Sequence, residues 1–82
     1  MAVYYFHLRD GEDALLDPDG RELEGAEAIA QSALAEARAL ISDEARLGRI
    51  RFDQRIDVED ADGRVVHSLP FDQAVVISGR GG

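Results

Sequence analysis

The sequence predicts an α+β domain of two layers: one antiparallel sheet with a single long helix across one face, in the order hairpin, helix, hairpin (ββαββ). Three observations predict it. Between Gly25 and Leu47, apolar residues recur at the i, i+3, i+4, i+7 spacing of an amphipathic helix. On both sides of that segment the period falls to two, the alternation of a half-buried strand. The strand-like segments are punctuated by acidic turns that contain glycine, namely Asp10-Gly11-Glu12-Asp13, Asp17-Pro18-Asp19-Gly20 and the stretch from Glu59 to Arg64. A sheet and a helix that each carry one apolar face bury both by packing together.

The first strand runs from Val3 to Arg9, rich in aromatic and β-branched residues. Alternation places Tyr4, Phe6 and Leu8 on one face and Val3, Tyr5 and His7 on the other. After the turn at Gly11, the short apolar run Ala14-Leu15-Leu16 pairs back on this strand. It ends at Asp17-Pro18-Asp19-Gly20, which has the proline and glycine placement of a type I turn. The helix follows, with Ala26, Ile29, Ala30, Ala33, Leu34, Ala37, Leu40 and Ile41 on its apolar stripe. Glutamates at its start and Arg46 near its end suit the helix dipole. Gly48 stands where a left-handed residue closes a helix, whereas neither Glu24 nor Gly25 is a favoured N-cap side chain.

Beyond Gly48, Ile50, Phe52, Ile56 and Val58 share one face, and Arg51, Arg55, Asp57 and Glu59 the other, with Asp53-Gln54 as an interruption. Asp60-Ala61-Asp62-Gly63-Arg64 reads as a three-residue hairpin loop with Gly63 left-handed, a register that sets Val58 opposite Val66. The return strand, Val65 to Leu69, ends at Pro70. The apolar group from Phe71 to Ile77 fits a strand or a short helix equally. Residues 1–78 form the expected domain, and 79–82 a flexible tail. Phe6, Leu8, Leu34, Ala37, Ile56 and Val58 are the expected core.

Charge and composition exclude more than they identify. Seventeen acidic residues face nine basic ones, all arginine, for a net charge of −8. Such a balance repels phosphate backbones and anionic membranes, so neither nucleic acid nor membrane is an expected partner. It keeps a small protein soluble, and it also suits an acidic mimic that occupies the basic groove of a nucleic-acid-binding protein. No run of about 20 apolar residues could span a bilayer, and no basic region precedes an apolar one as in an export signal. With no cysteine, disulfides and thiolate metal sites are excluded. The cytoplasm is the expected location.

Candidate sites are few. Asp17-Pro18-Asp19-Gly20 and Asp60-Ala61-Asp62-Gly63 place glycine fourth, whereas a calcium-binding loop of the helix-loop-helix type needs it sixth; both read as turns. His7 and His67 could reach one face if the first and last strands were neighbours, but their spacing matches no short ligand motif. Tyr5, His7 and His67 are therefore better read as an interaction face, with tyrosine suited to a dimer contact. No serine lies in a nucleophile elbow, and no glycine loop precedes a helix to cradle phosphate. The expectation is a non-enzymatic protein without a cofactor, either a homodimer or a module for a protein partner. The terminal Gly81-Gly82 carries an alternative: a ubiquitin-like or sulfur-carrier protein, whose mobile diglycine carboxylate is adenylated.

Three motifs carry a resemblance to a known family. They are the opening Tyr5-Phe6-His7-Leu8-Arg9-Asp10-Gly11, the acidic hairpin from Val58 to Arg64, and Leu69-Pro70-Phe71. Together with the alanine-rich helix between them, the chain resembles a family of short bacterial proteins known as domain of unknown function 6894. The resemblance extends to about Ile77 and leaves the Gly79 to Gly82 tail outside. It implies an α+β fold and a bacterial cytoplasmic setting, and it assigns no chemistry.

Overall fold

The computed structural model describes residues 1–79. Its elements in chain order are β1 (Ala2–Asp10), β2 (Asp13–Leu15), β3 (Arg21–Leu23), α1 (Ala26–Arg46), β4 (Gln54–Glu59), β5 (Val65–Pro70) and a short 3₁₀ helix (Phe71–Gln73). The five strands form one antiparallel sheet with strands preceding and following the single helix. β1 and β4 are central, β5 forms one edge, and β2 and β3 share the other edge along β1.

That shared edge departs from the simple first hairpin expected from the turns. β2 pairs Leu8 with Leu15, and β3 pairs Tyr4 with Arg21. Between them Tyr5, Phe6 and His7 of β1 face the longer segment from Leu16 to Gly20, so the returning strand is split by an insert. Asp17-Pro18-Asp19-Gly20 is thus not the end of the hairpin but a bulge within it.

α1 covers the face built by Phe6, Ile56 and Val58. Its buried residues, Ile29, Ala33, Ala37 and Ile41, recur every fourth position, and Ala33 and Ala37 are wholly inaccessible. Small side chains there let the helix lie close on the sheet, as the alanine-rich stripe implied. Gly25 makes no side-chain cap, while the C-terminus closes as a Schellman motif. In that motif Gly48 N–H donates to the Ala45 carbonyl (3.0 Å) and Arg49 N–H to the Glu44 carbonyl (3.2 Å). Phe71 and Ala74 complete the core, and Arg38 Nε ties the helix to the Ala74 carbonyl at 2.8 Å. The ambiguous apolar group after Pro70 is therefore a 3₁₀ turn that packs inward, while Val76 and Ile77 are exposed.

Of the expected core, Phe6, Ala37, Ile56 and Val58 are buried, whereas Leu8 and Leu34 are half-buried against it. β4 begins only at Gln54, which leaves Ile50 exposed and Phe52 half-buried. The second hairpin has its three-residue loop, with Asp60 N–H donating to the Arg64 carbonyl (2.9 Å). Its register nevertheless differs from the expected one: Glu59 pairs with Val65, but Val58 pairs with His67 instead of Val66. One extra residue forms a β-bulge, and everything beyond it moves to the other face. The shift puts Leu69 opposite the buried Ile56 and Ser68 opposite Asp57.

Candidate functional site

The face of the sheet opposite α1 carries side chains from three strands. Pairing His7 with Asp57, and Asp57 with Ser68, aligns them in one row. Among the described residues, His7 and Asp57 are the two buried polar ones, and both sit in this row. The Ser68 hydroxyl donates to Asp57 Oδ1 at 2.7 Å, and Arg55 Nε donates to the same oxygen at 3.1 Å. Arg9 links Asp57 to Glu59, with its Nε 3.4 Å from Asp57 Oδ2 and an Nη–H donating to Glu59 Oε2 at 3.1 Å. Glu59 Oε1 in turn lies 3.5 Å from His7 Nε2. Burial opposes the charge of Asp57, but the hydroxyl, the Arg55 bond and the neighbouring guanidinium charges outweigh it and hold the carboxyl below the usual range.

The other side of His7 is tied to the insert. His7 Nδ1 accepts the Asp17 backbone N–H at 3.0 Å, so a neutral ring carries its hydrogen on Nε2, toward Glu59. The Asp17 carboxylate does three jobs. One oxygen accepts Phe6 N–H (3.1 Å), an amide that a straight ladder would have given to a carbonyl. The other accepts the amides of Asp19 and Gly20, both at 3.1 Å. Burial raises the Asp17 pKa, and these backbone bonds more than reverse it, so the carboxyl sits below its ordinary value. Gly20 is required by close approach as well as by its φ of 70°, since an added Cβ would lie 2.8 Å from Val3 Cγ1 and 2.9 Å from Tyr5 Cε2.

This places the residues singled out in the sequence. Tyr5 and His7 do share a face, stacked with ring centroids 6.4 Å apart. His67 is not with them: β4 separates β5 from β1, and the bulge sends His67 to the helix side, in the row of Phe6 and Val58. The two histidines therefore cannot form one cluster. Among the described residues no group of three or more histidine, cysteine or acidic side chains is arranged to hold a metal ion. Gly81 and Gly82, on which the carrier reading rests, lie outside the described residues. The sequence reading missed Asp17, Asp57 and Ser68; the signal for Asp17 was the run of turn-forming residues that it opens.

Two further surfaces are apolar. On the helix side, a groove of about 300 Å³ lies between the insert and α1, lined among others by Phe6, Leu8, Leu15, Leu16 and Leu40. Arg21 closes it, with its guanidinium 4.2 Å from the Phe6 ring centroid and 3.4 Å from Glu36. At the opposite edge, β5 contains no charged residue, the only strand among the described residues of which this is true, and Val65 and Val66 are exposed. No helix among the described residues is long and apolar enough to cross a membrane.

No curated protein and no solved structure matches the chain. The model of a family described as Domain of unknown function (DUF6894) matches residues 3–72. That span holds all of the sheet but its first residue, Ala2, together with the helix and the polar row described above, and it ends before the glycine-rich tail. On a match of this extent, the chain belongs to the DUF6894 family.

Proposed function

We propose that the protein is a small non-enzymatic interaction module that works by protein–protein contact, with a homodimer as its basic form. The observation that carries this reading is the contrast between its two kinds of surface. The polar row offers no uncommitted reactive group: His7 Nδ1 accepts an amide, and both Asp57 oxygens face hydroxyl or guanidinium donors. No buried side-chain nitrogen or oxygen among the described residues lacks a partner. A satisfied network of this kind fixes strands in place. The apolar side chains at the β5 edge are exposed instead, which is the composition of a contact surface.

Each copy carries a charge of −8, which opposes self-association at low ionic strength. Sedimentation at several protein concentrations should show a dimer whose population grows as salt screens that charge. A monomer under every condition sets the homodimer aside. The carrier alternative is supported by Gly81-Gly82 alone and demands a modified carboxylate, so intact mass of the protein isolated from its own cells separates it from the module.

A further inference from the structure

The insert between β2 and β3 is held by hydrogen bonds more than by packing. Leu16, Pro18 and Asp19 are exposed, and no residue from Leu16 to Gly20 belongs to the core. Two bonds tie the insert to the middle of β1, each with one side-chain partner. Asp17 N–H donates to His7 Nδ1 at 3.0 Å, and Phe6 N–H donates to Asp17 Oδ2 at 3.1 Å. A segment with few buried apolar contacts opens locally at a small cost in free energy. The first of these bonds needs an unprotonated nitrogen. In a neutral imidazole Nδ1 can offer a lone pair to the amide; in the charged ring both nitrogens carry hydrogen and neither can accept.

We propose that His7 is a proton-sensitive latch on the insert: a proton taken up at Nδ1 displaces the Asp17 N–H and frees the segment from Leu16 to Gly20. The two sides of the ring respond to that proton in opposite ways. On the Nε2 side Glu59 Oε1 lies 3.5 Å away, and a carboxylate there stabilises the charged ring. On the Nδ1 side two N–H donors would meet at 3.0 Å, so the charged ring and the insert cannot both stay in place. The surroundings of the ring come from every neighbouring element of this face. β1 contributes Tyr5 and Arg9, β4 contributes Arg55, Asp57 and Glu59, the insert contributes Asp17, and β5 the uncharged Ser68; α1 lies on the other face. Three carboxylates against two guanidiniums favour a cation at this place. Opening therefore takes up a proton. The closed insert is favoured at high pH and loses ground as pH falls through the histidine range, about 6.5 for a free imidazole. The Asp17 carboxyl titrates below 3.8, so the two effects are separate in pH. What the proton releases is one wall of the apolar groove on the helix side, which Leu16, Asp17 and Pro18 line. Proton uptake on one face of the sheet thus opens the groove on the other.

The test is hydrogen exchange read by nuclear magnetic resonance, with each rate corrected for the pH dependence of a free amide. One proton taken up on opening lowers protection about 10-fold between pH ~7.5 and pH ~5.5. That loss is expected at the Asp17 and Phe6 amides. It is not expected at Ala33 and Ala37, the inaccessible centre of α1, which report opening of the whole fold. His7→Asn places an acceptor oxygen near the position of Nδ1 and cannot take up a proton, so there the protection of Asp17 should stay constant over the same range. Unchanged protection in the native protein overturns the latch. So does a loss shared equally by α1, or one that persists in His7→Asn. Should that variant not fold, the imidazole nitrogen resonances of the native protein decide. Hydrogen on Nε2 alone at neutral pH is the expected result; hydrogen on Nδ1, or a fully protonated ring beside a still-protected Asp17 amide, overturns the latch.

Discussion

Asp17 is the residue on which the edge geometry should depend most, and its removal gives a loss that can be worked out. Asp17→Ala strips three backbone amides of their acceptor. Those of Asp19 and Gly20 lie near the surface, where water can take over; the loss of their turn resembles the loss of a helix N-cap, about 0.5–2 kcal/mol. Phe6 N–H belongs to a buried residue, and stranding it costs about 1–3 kcal/mol. The sum, about 1.5–5 kcal/mol, is large against the roughly 4–12 kcal/mol expected for a chain of 82 residues. Asp17→Asn keeps a single acceptor oxygen and should lose less. The carboxylate also carries a pH signature. Its folded pKa lies below the 3.8 of a free aspartate, so the unfolded chain binds more protons between the two values. The stabilisation is whole above pH 3.8 and is lost as pH falls through the folded value. Asp53 and Asp57 are lowered too and titrate in both proteins, so the difference between native and Asp17→Ala is what reports on Asp17. Urea denaturation across an acid series should show that difference shrink toward zero. A loss below about 0.5 kcal/mol at neutral pH, or a difference that stays constant to about pH 2, would refute the assignment.

Two other outcomes are expected. Gly20→Ala should lose at least about 1 kcal/mol more than Gly63→Ala, because both have positive φ but only Gly20 has side chains within contact of the added Cβ; equal losses in denaturation would remove the close approach from the account. Phe71→Ala, at a fully buried position, should cost about 3–5 kcal/mol, and Leu34→Ala, half-buried, less than about 2 kcal/mol; the reverse order of denaturation midpoints would relocate the core.

The helix, the N-terminal strand and the acidic turns were legible because each rests on local chemistry: a 3.6-residue stripe, strict alternation from Tyr4 to Leu8, and glycine at positions needing positive φ. The pairing of Tyr5 and His7 on one face came from the same alternation. What escaped was non-local. Asp17-Pro18-Asp19-Gly20 has the residues of a turn, and only the reach of its carboxylate to Phe6, 11 positions away, makes it an insert between two short strands. The bulge escaped because Val65 and Val66 are both apolar, so alternation could not say which was extra. A signal was nevertheless present: the regular register puts Ser68 opposite Ile56 and leaves Leu69 outside, an exchange of polar for apolar that the core would oppose. The position of His67 was lost with that one residue.

Pro70 gives the bulge a second physical consequence. In the regular register Val58 would turn toward Val66, and the residues facing inward from β5 would be Val66, Ser68 and Pro70. The missing N–H would then fall against β4 and leave one of its carbonyls without a donor inside the sheet. With one extra residue, Pro70 pairs with Arg55 and its nitrogen points outward, where no carbonyl of this chain needs it. The same displacement brings Ser68 to Asp57 and Leu69 to the core. Proline and bulge also shorten the edge that remains open. Beyond the bulge, Ser68 alone among the described residues keeps both of its backbone groups on the open side, since Pro70 has no N–H. An edge so short cannot template open-ended pairing with unrelated strands, as a long flat one would.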